Sequence, residues 1–280
     1  MFRLIKKIFN IIILLFIIGV LILVYSKHIE PFQLKVTEVS ISSPFIDEQA
    51  KGLRIIAFAD THFGDFYSTE DFKKVVAAIE ENKPDIVFFL GDLIDHYDNY
   101  TDDKDIGELS RLLSQIEAPY GKYAVFGNHD YGGGAENIYD HIMAEGGFHV
   151  LVNESISIEK LAIKIIGIDD VVIGYGDPTV CKESKEEQYN IVLTHAPDVA
   201  DKVLEYGVDL ILAGHTHGRQ VNLSFFDNYV LPPYGRKYIK GLYDIGSERS
   251  TSLYVNAGIG MTQLPVRFLS PPELTVITLQ

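Results

Sequence analysis

Short apolar runs alternate with amphipathic stretches along most of the chain. Residues 53–59, 86–90 and 123–126 are almost entirely apolar, which is typical of strands buried on both faces of a sheet. In the stretches between them, apolar residues recur every three or four positions, and this spacing predicts helices, the third of them over residues 135–145. The alternation of strand and helix predicts an α/β fold.

The second half of the chain repeats this alternation less regularly. Strand-like runs occupy residues 162–168, 191–194 and 210–213, and shorter β segments are expected near Val221, Val230, 253–256 and 274–278. The sequence shows neither an internal repeat nor a second linker. We therefore expect one domain in which two sheets pack together with helices outside.

The N-terminus carries a different pattern, an apolar run over residues 8–25 that only Asn10 and Gly19 interrupt. As a helix this run is about 27 Å long, close to the thickness of a bilayer's hydrocarbon core. We predict a transmembrane signal anchor over residues 1–27. A linker with a first edge strand then follows over 28–50, and the main domain occupies 51–280.

Charges beside this segment predict its orientation. Three basic residues precede it, namely Arg3, Lys6 and Lys7. Lys27 and Glu30 follow it and nearly cancel, so the positive-inside rule keeps the N-terminus cytoplasmic and the main domain outside. The alternative is a secretory signal cleaved after Val24-Tyr25-Ser26, which would release the main domain. Both interpretations put it on the extracytoplasmic side.

Composition excludes several classes of protein. The chain is 47% hydrophobic and 22% charged, which is too apolar for a disordered chain. Its net charge of −15 argues against a scaffold that neutralises nucleic-acid phosphates. The single cysteine, Cys181, excludes a thiolate metal cluster and an intrachain disulfide. Any metal would therefore be held by His, Asp, Glu or Asn.

Polar clusters follow five of the apolar runs, at residues 60–62, 91–92, 127–130, 194–195 and 214–217. The carboxyl ends of strands are where open α/β sheets build their sites. Five of the nine histidines lie in these clusters: His62, His129, His195, His215 and His217. Histidines scattered over a surface would not show this distribution, so we interpret the clusters as one site.

The residue types in these clusters indicate a metal centre. Asp, His and Asn without Cys form a donor set suited to Mn²⁺, Zn²⁺, Fe or Co²⁺. The clusters contain more such groups than one ion needs. The excess fits two ions about 3.5–4 Å apart that share a carboxylate and a bridging hydroxide, as in two-metal phosphoester hydrolysis. An aspartate after a strand is often only a helix cap, but His62 and the later clusters make this a poor account of Asp60.

In order, the clusters read D-x-H, G-D-x-x-D, G-N-H-[DE], H and G-H-x-H, and this series resembles the calcineurin-like metallophosphoesterases over about residues 50–280. The resemblance implies a four-layer αββα sandwich, with residues 51–280 as the catalytic domain. It also implies a role for each matching residue: Asp60, His62 and His217 for the first metal; Asn128, His195 and His215 for the second; Asp92 as their bridge; His129 as the catalytic histidine; and Asp95 as the acid that orients His129.

Further segments resemble a membrane-anchored bacterial subgroup that includes phosphodiesterases and relatives of UDP-diacylglucosamine pyrophosphatase. These segments are residues 195–198, 264–267 and 271–273. Arg219 departs from the pattern, because a glycine commonly stands there. We assign Arg219 as a candidate cation for the substrate phosphate.

These observations predict a hydrolase for phosphodiester or pyrophosphate bonds, in which the bridging hydroxide attacks phosphorus and His129 protonates the leaving oxygen. The expected substrates are small molecules or lipids of the cell envelope. One alternative is a phosphomonoesterase, and a further one is an inactive metal-binding interaction module. We expect a monomer.

Overall fold

The computed structural model describes residues 2–99, 103–223, 231–246 and 249–280. Its first element is helix α1 (Phe2–His28), whose apolar side chains are exposed along almost the whole length. Among the described residues, α1 is the one helix long and apolar enough to span a bilayer. It is therefore a candidate membrane anchor.

The described part of the remaining chain forms twelve strands and four further helices. The strands are β1 (Lys35–Ile41), β2 (Arg54–Phe58), β3 (Ile86–Phe89), β4 (Lys122–Ala124), β5 (His149–Val150), β6 (Glu154–Ile158), β7 (Ile163–Gly167), β8 (Tyr189–Leu193), β9 (Leu210–Ala213), β10 (Gly241–Asp244), β11 (Ser252–Val255) and β12 (Glu273–Leu279). The helices are α2 (Thr69–Glu81), α3 (Asp103–Ser114), α4 (Tyr139–Glu145) and α5 (Ala200–Val203).

The strands form two six-stranded mixed sheets. The first sheet has the order β1-β12-β2-β3-β4-β5 and the second β10-β11-β9-β8-β7-β6. In the first, β2 to β5 run parallel, and β12 is antiparallel to β2. In the second, β7, β8, β9 and β11 run parallel, and the edge strands β6 and β10 are antiparallel. β1 lies at one edge of the first sheet.

Side-chain alternation explains why the strands read as continuous apolar runs. Along β2, Ile55 and Ala57 pack into the core between the sheets, whereas Ile56 and Phe58 pack against the helices on the outer face. On the second sheet, Ile165 of β7 also lies in the core between the sheets. The first sheet is covered by α2, α3 and α4, and the second by α5 with short 3-10 turns. This arrangement agrees with the predicted αββα sandwich.

Some predicted boundaries were wrong. The third helix of the main domain begins at Tyr139 rather than at residue 135, because residues 129–137 form 3-10 turns in which Gly133 and Gly134 have φ values of 62° and 82°, and an α-helix does not accommodate such values. The β segment near Val221 is a single bridge to Phe268. The segment predicted near Val230 lies outside the described residues.

Candidate metal centre

The strand ends of both sheets converge on one edge of the sandwich. Asp60 and Asp92 follow the parallel strands β2 and β3, and Asn128 lies in the loop after β4. From the second sheet, His195 and His215 follow the parallel strands β8 and β9. Because parallel strands end at the same edge, five separate segments bring their polar residues together.

A first group of potential ligands consists of Asp60, His62 and His217, each with one ligand atom within 4.8 Å of the others. The Nε2 atoms of His62 and His217 are 3.0 Å apart. Oδ1 of Asp60 lies 3.7 Å from Nε2 of His217 and 4.0 Å from Nε2 of His62. All three residues are buried, and together they could hold a metal ion.

A second group consists of Asp92, His195 and His215, again with ligand atoms within 4.8 Å of one another. Oδ2 of Asp92 is 3.1 Å from Nε2 of His195. The same oxygen is 3.5 Å from Nε2 of His62, which belongs to the first group. Asp92 therefore contacts an imidazole of each group.

Hydrogen bonds to backbone carbonyl oxygens indicate which ring nitrogen carries a proton in His195 and in His215. Nδ1 of His195 is 2.7 Å from the carbonyl oxygen of Leu90, and Nε2 of His215 is 2.9 Å from that of Pro233. A carbonyl only accepts, so these nitrogens donate. Burial tends to lower the pKa of His195, but the Asp92 carboxylate outweighs this effect and raises that pKa to about 10, so a metal ion would have to displace a proton from Nε2 of His195. Nε2 of His195 and Nδ1 of His215 are the atoms that would bind a metal.

Among the described residues, Oδ1 of Asn128 is a buried atom at this edge that has no hydrogen-bond partner. Leaving a buried polar atom unpaired costs about 1–3 kcal/mol, and a metal ion would satisfy this oxygen. Carboxylate, imidazole and amide donors without thiolates also suit divalent ions such as Mn²⁺ or Zn²⁺. The residues present therefore fit a divalent metal centre.

Burial and mutual contact shift the pKa values of these groups strongly. Burial alone would raise the pKa of Asp92, but the His195 and His129 imidazoles outweigh it and hold that pKa well below 3.8. Burial lowers the pKa of His215 to about 3. Burial, followed by His62 and Arg267, holds the pKa of His217 well below its usual value. His215 and His217 are consequently neutral at physiological pH, which is the form that binds metals.

His129 lies beside the two groups and lines a cavity of about 340 Å³. Its backbone N–H donates to Oδ1 of Asp92 over 2.8 Å, and its Nδ1 is 2.6 Å from the carbonyl oxygen of Asp95. The Asp95 carboxylate is divided between two rings, because its Oδ1 is 3.2 Å from Nδ1 of His62 and 3.4 Å from Nδ1 of His129. Asp95 thus contacts His129 most closely through its backbone carbonyl, whereas the sequence had pointed to its side chain.

Arg219 also lines this cavity. Its Nη1 is 3.3 Å from Oδ1 of Asn222, so a neighbouring amide contacts the guanidinium at the cavity wall. A larger groove of about 1020 Å³ lies elsewhere, and its lining includes Phe45, Lys182 and Arg249. That groove contains none of the predicted ligands, so the chemistry belongs to the smaller cavity.

Five of the seven predicted metal ligands have left-handed backbone conformations, with φ between 44° and 72°: Asp60, His62, Asp92, His215 and His217. Such conformations cost about 1–3 kcal/mol each in residues other than glycine. They persist only where the surrounding structure enforces them. Their concentration at one edge is typical of a functional site.

Close contacts explain why glycines precede the ligands in the motifs. A Cβ added at Gly127 would overlap the Asp92 carboxylate, and one added at Gly214 would lie 2.8 Å from Oδ2 of Asp60. Real Cβ atoms do not approach other atoms so closely. The glycines therefore leave room for the two carboxylates.

Arg267 is a site residue to which the sequence analysis gave no role. Its side chain is completely buried. It donates to the carbonyl oxygens of Gly260, Ala257 and Ser270 at 2.7, 3.1 and 2.9 Å. Its Nη2 lies 3.4 Å from Nδ1 of His217. Because Arg267 lies 50 residues from His217 in the chain, no local pattern could reveal this contact.

Two further acids support the loops around the ligands. The Asp130 carboxylate accepts three backbone N–H groups, those of Asp92, Leu93 and Gly127, each at 2.8 Å. It thereby joins the loops after β3 and β4. Asp169 accepts a hydrogen bond from the Tyr131 hydroxyl at 2.8 Å. Asp169 follows β7 closely, so the strand-end signal used for the other clusters could have found it.

Comparison with known proteins agrees with this geometry. The sequence profile of the Calcineurin-like phosphoesterase family matches residues 53–219. The chain belongs to this family, and it is a metallophosphoesterase and therefore a hydrolase. The family uses divalent metal ions. The predicted family, fold class and enzyme class are confirmed.

Several curated relatives match nearly the whole chain. The metallophosphoesterase YkuE of Bacillus subtilis is 40% identical over 91% of this chain and 89% of its own length. The UDP-2,3-diacylglucosamine pyrophosphatase LpxG of Chlamydia trachomatis is 27% identical over 92% of this chain and 93% of its own. Among solved structures, a dimetal phosphatase from Danio rerio aligns with a TM-score of 0.52 at 12% identity, covering 81% of this chain and 99% of that one. This likeness supports the fold.

Proposed function

We propose that the chain hydrolyses phosphodiester or pyrophosphate bonds at a centre of two divalent metal ions. The observation that carries the proposal is the position of Asp92, whose Oδ2 lies within 3.5 Å of an imidazole from each ligand group. One ion would be held by Asp60, His62 and His217, the other by Asn128, His195 and His215, with Asp92 shared. Bound ions of this kind lower the pKa of water and offset the negative charge of a phosphate.

His129 is proposed to transfer the proton to the departing oxygen. The contact between its Nδ1 and the Asp95 carbonyl fixes the ring and leaves Nε2 as the atom that exchanges protons. The bond from its backbone N–H to Asp92 keeps the ring beside the ligand groups. Burial tends to lower the pKa of His129, but Asp92 and Asp95 outweigh this effect and raise the pKa. A raised pKa favours the protonated, donating form.

The relatives and the anchor support a substrate in the cell envelope. LpxG proteins are named as pyrophosphatases for UDP-2,3-diacylglucosamine, and a substrate of similar chemistry would carry acyl chains beside a pyrophosphate. An enzyme held on a membrane by α1 meets such molecules at high local concentration. We propose a lipid or small envelope molecule as the substrate, bound with help from Arg219.

We also propose the arrangement in the membrane. The basic residues before the apolar run favour a cytoplasmic N-terminus and an extracytoplasmic catalytic domain. Cleavage of the segment as a secretory signal is the alternative, and the size of the chain in isolated membranes distinguishes the two. We further propose that the protein acts as a monomer.

A substrate comparison tests the proposed reaction. The Mn²⁺-loaded chain is assayed with bis-p-nitrophenyl phosphate, UDP-linked and lipid pyrophosphates, and p-nitrophenyl phosphate. We expect diester or pyrophosphate turnover to exceed monoester turnover, and His129→Ala to lower it. The exposed His141 on α4 supplies the matched control, His141→Ala, which should retain full activity. Faster monoester turnover would identify a phosphomonoesterase, and metal binding without any hydrolysis an inactive module.

A further inference from the structure

The end of α1 is joined to a loop of the catalytic body that we name the seat loop, residues 262–270. The backbone N–H of Arg267 donates to the carbonyl oxygen of Ser26, in the last turn of α1, over 2.8 Å. The backbone N–H of Ser270 donates to Oε1 of Glu30 over 2.6 Å, and Glu30 is only 2% exposed. These buried bonds attach α1 rigidly to the seat loop.

The seat loop also forms part of the catalytic cavity. Its first three residues, Thr262, Gln263 and Leu264, line the cavity wall. Thr262 donates a hydrogen bond to Asp95 over 2.7 Å, and Arg267 contacts the potential ligand His217. The seat loop thus connects the end of α1 with the wall of the cavity and with the potential ligand His217.

The residues at the end of α1 indicate the level of the membrane surface. The apolar run ends at Tyr25, and Lys27 follows two residues later. Tyrosine and lysine at the end of a span lie in the headgroup region, where an aromatic ring is half immersed and an ammonium reaches water. Ser26 lies between them. The seat loop is hydrogen-bonded to Ser26 and is therefore at headgroup level as well.

At this level the protein exposes large apolar side chains. On the seat loop, Leu264 is 61% exposed and Leu269 57% exposed. Just past α1, Ile29 and Phe32 are 44% and 39% exposed. The described part of the chain leaves these four apolar side chains partly uncovered, and contact with lipid would remove them from water.

We propose that Leu264 and Leu269 insert into the headgroup region of the bilayer, so that the catalytic cavity opens at the membrane surface. A phosphoester borne by a lipid then reaches the ligand groups while its acyl chains stay in the bilayer. The inference rests on α1 as the anchor and on the proposed phosphoesterase activity. It adds the surface by which the catalytic domain itself contacts lipid.

The chain contains no tryptophan, so a single introduced tryptophan reports its own environment. We would compare Leu264→Trp and Leu269→Trp in the full chain, reconstituted in phosphatidylcholine–phosphatidylglycerol vesicles with brominated acyl chains. Phe16→Trp, within α1, is the reference for insertion. Val152→Trp is the matched control, because Val152 is 42% exposed and closely follows β5, the edge strand opposite β1 in the first sheet.

We expect bromine to quench the tryptophans at 264 and 269, since groups at the headgroup–acyl boundary are buried by about 5–10 Å. The tryptophan at 16 should also be quenched, and the one at 152 should not. Unquenched tryptophans at 264 and 269 beside a quenched one at 16 would overturn the proposal and leave the anchor intact. If the tryptophan at 16 is also unquenched, α1 is not inserted in the bilayer, and the proposal is overturned as well.

Hydrolysis by the wild-type chain in the same vesicles tests the proposed function separately. Bis-p-nitrophenyl phosphate hydrolysis together with unquenched seat-loop tryptophans would overturn the lipid contact alone. Quenched tryptophans without hydrolysis of any phosphoester would support the lipid contact and count against the proposed function.

Discussion

The core between the two sheets and the edge that carries the ligands differ in backbone and in charge. In the core, Ile55 and Ile165 lie in regular strands and are completely buried. At the edge, Asp60 and Asp92 are equally buried but have left-handed φ values and lie close to other charged groups. The apolar core thus stabilises the fold, and part of that stability offsets the strain at the edge. Substitutions in the two regions should therefore have separable effects.

The largest effect on catalysis is expected from Asp92→Asn. The neutral amide cannot replace a shared carboxylate, so kcat/KM for bis-p-nitrophenyl phosphate should fall by about 10³-fold or more, which corresponds to several kcal/mol of transition-state stabilisation. The thermal midpoint of the metal-free chain should stay the same or fall, because the folded protein holds the pKa of Asp92 well below 3.8 and so stabilises its charged form. The matched control is Asp140→Asn, at an exposed aspartate on α4, for which both quantities should stay unchanged. A fully active Asp92→Asn protein would contradict the shared-ligand role.

His129→Ala should lower kcat by about 10²–10⁴-fold, the usual contribution of a proton donor. The loss should be greatest for substrates with poor leaving groups, which depend most on protonation. Metal content should not change, because His129 is not among the proposed ligands. An equal loss for good and poor leaving groups would remove His129 from proton transfer.

Ile165→Ala tests the core. Removing a buried isoleucine side chain should lower the free energy of unfolding by about 2–5 kcal/mol, as measured by urea denaturation. Activity per folded molecule should remain at the wild-type value below the unfolding transition. Leu242→Ala, at a half-exposed position, should change stability by no more than about 0.5 kcal/mol. A loss of metal from folded Ile165→Ala protein would mean that core and edge are not separable.

The smallest effects are expected from alanine substitutions at two glycines, one remote from the ligands and one beside Asp92. Gly107 lies on α3 with no atom within 4 Å of an added Cβ, so Gly107→Ala should stabilise the protein by about 0.5–1 kcal/mol. Gly127→Ala would push a methyl group into the Asp92 carboxylate and should lower metal affinity. Titration of both variants with Mn²⁺ checks the contrast. Equal affinities would show that the Asp92 carboxylate does not need the space at Gly127.

Much of the fold follows from local patterns. A strand buried on both faces needs apolar residues at every position, and this requirement made β2, β3, β7, β8 and β9 visible in the sequence. The two-residue β5 and the half-exposed edge strand β10 lack such a run. The start of α4 was missed because the glycines at 132–134 allow tight turns, whose effect depends on how the loop packs.

The candidate site, too, was predictable only in part from local sequence patterns. Ligand types and their order along the chain were evident, because each cluster directly follows a strand. The left-handed conformations of Asp60 and His215 depend on loops packed from both sheets, so no single segment encodes them. The contact between Arg267 and His217 joins residues that are neighbours only in the folded protein. The contact between Glu30, just past α1, and Ser270 joins residues that are equally remote in sequence.

We propose above all that the two ligand groups hold a pair of metal ions joined by Asp92. Elemental analysis of the folded, detergent-purified chain after loading with Mn²⁺, Zn²⁺ or iron tests it most directly. We expect two ions per chain for the wild type, and one or none for Asp92→Asn. A folded wild-type chain that binds at most one ion under every loading condition would contradict the account.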